Sequence, residues 1–132
     1  MAFKFSTAVR NAAIDAVETT IGTAPTLTIR TGSEPATAND AATGTVLVTM
    51  TLPSDWMTAA SSGSKSLSGT WQDPTADATG TAGYFRITGS GGVIQGNVTA
   101  TGGGGDMTID NVSIAAGQQV TVTSFTLTAG GA

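Results

Sequence analysis

Beyond Pro25 the chain alternates. Apolar residues take every second position over short runs, Thr fills many of the places between, and Gly or Asn-Asp clusters break the runs. A strand turns successive side chains to opposite faces, so this pattern specifies half-buried strands. Leu27 and Ile29 mark one strand, and Val46, Val48, Met50 and Leu52 mark a second. Between them, Gly32 to Gly44 contains Pro35, Asn39 and Asp40 and reads as a long loop. Pro53-Ser54-Asp55 closes the second strand, and Trp56-Met57 follow in a connector rich in Ala, Ser and Gly. Further strands are expected at 66–71, 83–88, 93–99, 106–109, 112–114 and 119–128. Gly89 to Gly92 is a hairpin signal, and the tract Gly102 to Gly105 reads as a flexible hairpin connection. In the last strand Val120 and Val122 are out of phase with Phe125 and Leu127, so a bulge is expected near Thr123.

One segment has helical period instead. Between Ser6 and Gly22 the residues Val9, Ala12, Ala13, Ala16, Val17 and Ile21 recur at spacings of three and four, which defines an apolar helix face. Ser6 suits the N-cap and Gly22 the C′ position. Asn11, Asp15, Glu18 and Thr19 are expected to face outward. Ahead of the helix, the arm 1–5 carries Phe3 and Phe5, too short to fold alone and in need of a surface to pack on. A chain of 132 residues makes one domain, 1–132. The class expected is mainly β, an antiparallel β-sandwich of about 7–8 strands with one N-terminal α-helix.

The chain has no Cys and no His. That removes disulfides, thiolate and imidazole metal sites, Cys nucleophiles and Ser-His-Asp triads together. Charged residues make up 11% and the net charge is −4, so a direct grip on nucleic-acid phosphates is not expected. No apolar run approaches the roughly 20 residues that cross a bilayer, and no secretory h-region is visible. Cofactors and metals are not expected. Asp73, Asp77, Asp106 and Asp110 fall in or beside loops and could pair for acid-base work or hold Ca²⁺, but Asp73 to Asp77 lacks the ligand spacing of an EF-hand. Solvated turn acids are the favoured reading. The glycine tract is not followed by the Gly-Lys-Ser/Thr of a phosphate loop. Trp56, Trp71 and Tyr84 could stack sugar rings, although burial in a core or at a subunit contact is favoured. Arg10, Arg30 and Arg86 are few enough that each should have a defined partner, within the fold or across an interface.

Several blocks together resemble a small structural protein of tailed bacteriophages, of the head decoration or head-tail type. They are Lys4 to Ala13 with the helix after it, Ile29 to Gly32 with Pro35-Ala36, and Leu52 to Met57. The most distinctive run is Gly69 to Asp73, Ala76 to Ala78 and Gly80 to Ile87; the end contributes Asp106 to Asn111, Ser113 to Gln118 and Val120 to Thr128. The resemblance implies a virion component with a structural role and no enzymatic residues. It leaves the place on the particle open between head, neck, tail and baseplate.

A capsid decoration protein is the function this reading favours, binding neighbouring copies and the major capsid protein without touching DNA or membrane. The alternatives are a head-tail connector, tail or baseplate component, or a glycan-binding host-adhesion module. Interface residues expected on this basis are Phe3, Phe5, Trp56 and Met57 as apolar contacts, with Arg10 and Arg86 as ion-pair anchors.

Overall fold

Ser6 turns the chain into the one helix of the described residues. The computed structural model describes residues 3–131. Met1 and Ala2 of the arm 1–5 lie outside the described residues. Ser6 is extended at φ −63°, ψ 160°, and its hydroxyl accepts the Val9 N–H, which starts α1 (Thr7–Ile21). Gly22 stops it at φ 101° while its N–H donates to the Glu18 carbonyl. Among the described residues nine strands follow: β1 (Thr26–Thr31), β2 (Val46–Thr51), β3 (Ser64–Ser66), β4 (Gln72–Asp73), β5 (Gly80–Gly89), β6 (Gly92–Ala100), β7 (Met107–Ile109), β8 (Ser113–Ile114) and β9 (Val120–Thr128). The protein is therefore mainly β with one N-terminal helix. The strands form one curled sheet in the order β2-β1-β5-β6-β7-β9-β3, with β4 added to β9 and β8 to β5.

Alternation decides which side of each strand is buried. Leu27 and Ile29 of β1 pair with Ile87 and Phe85 of β5, and all four are buried. Opposite them lie Met107, Ile109, Val120, Val122 and Phe125, so the sheet curls over a shared core. Four rings connect its parts: Trp56 to Trp71 at 6.1 Å, Trp71 to Phe125 at 5.5 Å, and Phe125 edge-on to Phe85 at 5.5 Å. Both indoles are hydrogen-bonded, Trp56 to the Gly22 carbonyl and Trp71 to that of Ser68.

Three local expectations are corrected. The strand expected at 66–71 is broken, because Gly69 at φ +76° turns the chain and sends Trp71 into the core between β3 and β4. The antiparallel rule also fails once. β6 and β7 pair parallel, Val98 beside Met107, so the Gly102–Gly105 tract is no hairpin. It doubles the chain back within six residues, where parallel neighbours usually need a dozen or more. Glycine permits this: the Gly105 N–H bonds the Thr99 hydroxyl, and a Cβ at Gly103 or Gly105 would lie 2.7–2.9 Å from that same Thr99 side chain. The bulge does lie at Thr123, which β7 skips as Thr108 pairs with Ser124 and Ile109 with Val122.

The third correction concerns the orientation of α1. Asn11, Asp15 and Glu18, expected outside, are the side that docks. Asn11 accepts the Gly63 N–H at 2.8 Å, and Asp15 accepts the Ala60 N–H at 3.2 Å. Lys65, only 3% exposed, reaches Asp15 at 2.7 Å and Glu18 at 2.6 Å. Ile14 and Ile21 are the helix residues that reach the interior. Spacing defines a helix face but not its direction, and a buried ammonium without carboxylates would cost far more than leaving alanines in water.

The ion pair sets a pH window. The hydrogen bond from Lys65 holds the Asp15 carboxyl below its ordinary 3.8; burial opposes this and the Ala60 N–H assists it. Its stabilisation is therefore present above 3.8 and lost as pH falls through the lowered value. For Lys65 burial pushes the ammonium down, yet its bonds to Asp15 and Glu18 together raise it above 10.5, so its share persists until pH climbs past that raised value. Lys65→Met should cost about 2 kcal/mol at neutral pH, less than a fully buried pair because Asp15 is half in water. Urea unfolding at neutral pH and at about pH 2 checks this, since the difference between the two proteins should shrink in acid. A difference independent of pH would assign the loss to packing.

Candidate functional site

Docking α1 by its polar side leaves the other side uncovered. Ala8, Ala12, Ala13 and Ala16 are exposed, and Val9 is 51% exposed. The arm continues this surface, with Phe3 72% and Phe5 42% exposed. A contiguous apolar patch ending in two rings is unusual for an isolated small domain and is the kind of surface that partners cover. Phe5 is anchored by its N–H to the Gly131 carbonyl. Arg10 supports the same end, donating through Nε and Nη2 to the Ala129 carbonyl at 3.2 and 3.0 Å.

Two hollows flank the patch. One, of about 620 Å³, lies between α1 and β6 and is lined by Ala13, Ala16, Val17, Ile21, Ile94 and Leu127 among others. The second, of about 360 Å³, lies at the start of the helix, among Phe5, Val9, Arg10, Ile14 and Ala129. Ala13 borders both, which makes them one apolar strip along the helix.

Of the expected interface residues, Phe5 and Arg10 line this strip, and Phe3 is exposed two residues before Phe5. The others are elsewhere. Trp56 and Met57 are core residues, 0% and 1% exposed, because the connector folds inward and Met57 bridges to Leu67. Arg86 is buried too, spent within the chain: it donates to the Ala38 and Asp40 carbonyls and to Gln95 Oε1, which pins the loop 32–44 over β5 and β6. Tyr84 pins the same loop through Thr43. With Trp56, Trp71 and Tyr84 all buried, none of these rings presents a face to a sugar.

The loop carboxylates hold the loops in place. Asp73 accepts the Thr75 and Thr49 N–H groups, and Asp77 accepts the Thr49 hydroxyl at 2.7 Å, so both fasten the segment after β4 to β2. Asp106 accepts the Asn97 N–H, and Asp110 those of Asn111 and Thr121. Among the described residues no group of three or more His, Cys, Asp or Glu is placed to hold a metal ion. The alanine face was missed in the sequence; its signal was Lys65, a lone cation between serines, matched by acids three apart on the helix.

Comparisons of the chain with protein-family models, with curated proteins and with solved structures return no match.

The patch and the core should respond oppositely to substitution. Trp56→Ala is expected to cost about 3–5 kcal/mol, the usual loss for a buried ring. Phe3→Ser should change monomer stability by less than about 0.5 kcal/mol. Denaturant titrations of the two variants decide this, and a Phe3 loss comparable to that of Trp56 would make the arm part of the core.

Proposed function

We propose that this chain is a non-enzymatic structural subunit of a tailed-bacteriophage virion, a capsid decoration protein that stabilises the head through protein-protein contacts. The observation that carries the reading is the uncovered apolar strip from Phe3 along the outer face of α1, on a fold whose other candidate side chains are engaged internally. The resemblance of the sequence blocks to phage structural proteins supplies the class. A surface with few charges and small side chains suits close repetition around a symmetry point, where added interface area resists pressure from within. Contacts would be with neighbouring copies and with the major capsid protein, and the location would be the virion, assembled in the host cytoplasm. Among the described residues no helix is long and apolar enough to cross a membrane.

Counting copies per particle against the major capsid protein by quantitative mass spectrometry tests this reading. Hundreds of copies are expected. A small multiple of three, six or twelve would move the subunit to the neck, tail or baseplate, and absence from the particle would end the virion reading.

A further inference from the structure

The hollow between α1 and β6 contains an open strand edge. β6 pairs with β5 from Gly92 to Asn97, but on its other side β7 meets only Val98 to Ala100. The Asn97 N–H already points away from β5, to the Asp106 carboxylate at 3.1 Å. Hydrogen-bonding direction alternates along an antiparallel strand, so Gln95 and Val93 turn their N–H and C=O groups to that same side. Residues 92–95 line the hollow, and among the described residues no neighbouring strand covers them there.

The two sides of this edge differ in chemistry. On the core side, half-buried Ile94 and Leu127 and the helix residues Ala16 and Val17 make an apolar wall. On the other side the loop 32–44 is held against β6 by Gln95, which donates to the Pro35 carbonyl at 2.8 Å. Ala38 of that loop borders the hollow, and the exposed Asp40 carboxylate caps the same turn by accepting the Thr37 N–H at 2.9 Å.

Phe3-Lys4-Phe5 matches this pattern. Extended, it puts two rings on one side and an ammonium on the other. Added beside β6, it would set Phe3 and Phe5 against the apolar wall and Lys4 towards Asp40. The chain's own arm does not reach. Phe5 is tied to Gly131 and the helix begins at Thr7, so Val17 lies about 15 Å along the axis, beyond the roughly 10 Å that three extended residues span.

We propose that the arm of a second copy of this chain adds as a strand to the free edge of β6, with Phe3 and Phe5 under α1 and Lys4 paired with Asp40. Main-chain bonds supply affinity and the alternate rings supply register. Donor and acceptor are different surfaces, so the contact closes as a reciprocal exchange or as a ring. It concerns the purified chain and does not rest on the virion reading.

The test uses the full chain in sedimentation velocity with two complementary variants. Phe3→Ser with Phe5→Ser removes the arm's anchors and should weaken association at least about thirtyfold, the loss of a single aromatic hot spot. Val93→Pro removes one N–H that faces away from β5, a place where an edge strand tolerates proline, and should block the edge while circular dichroism stays unchanged. If that variant does not fold, Ala16→Trp fills the hollow from the exposed helix face and replaces it. Each variant alone should be monomeric, and an equimolar mixture should form a one-to-one heterodimer, since the arm of one meets the edge of the other. A wild-type chain that stays monomeric at about 100 μM, variants that assemble like wild type, or a mixture without heterodimer would each overturn the proposal. None of those results alters the copy count in the particle, so the two readings fail separately.

Discussion

Lys65 decides what this protein shows to its surroundings. Its ammonium lies almost wholly inside, and such a charge persists there only with carboxylates in direct contact. Asp15 and Glu18 are three residues apart and so share one side of a helix. Once both turn towards Lys65, the rotation of α1 about its axis is set, and Val9, Ala12, Ala13 and Ala16 are left exposed. The exposed patch is thus the consequence of a buried ion pair.

The hollow beside that patch has a separate origin in β7. Three residues long, β7 bridges β6 to β9 only over Met107 to Ile109. Its shortness follows from the doubled-back glycine tract before it and from the Thr123 bulge opposite, where the Thr108 hydroxyl bonds both Thr123 and Ser124. Beyond β7 the flanking strands part, leaving Ile94 and Leu127 half covered. The aromatic row from Trp56 to Phe85 holds the rest of the core closed, so the opening stays local.

Much of this architecture was legible in the chain. The alternation of Leu27 with Ile29 and of Val46 with Val48 and Met50 marks real strands, and the phase change between Val122 and Phe125 marks a real bulge. Ser6 and Gly22 bound the helix because capping is local chemistry. What failed was non-local. Nothing near Gly102 tells that β7 returns parallel, and nothing near Trp56 tells that its ring meets Trp71. Ile21 is buried and Thr19 exposed as expected, but the alanines of that face were misplaced because periodicity treats alanine as something to hide, whereas its small area makes its burial worth little against that of one lysine. Phe3 and Phe5 were legible as exposed because no local partner existed for them.

The arm and the hollow are more informative together than apart. Exposed aromatic residues alone are a liability for a chain with net charge of only −4, since repulsion between copies is weak. An open strand edge is a second liability of the same kind. Proteins that work alone usually blunt such edges with charge or proline, yet here the edge residues Val93 and Gln95 carry no charge and no proline stands in β6. Two sticky features on one chain, an arm of alternate rings and an open edge with an apolar wall, are better explained as halves of a contact than as independent defects. The one charged side chain in the arm, Lys4, then acts as the selector: on a surface this poor in cations it favours the edge beside the loop that carries Asp40 over any other exposed edge of the sheet.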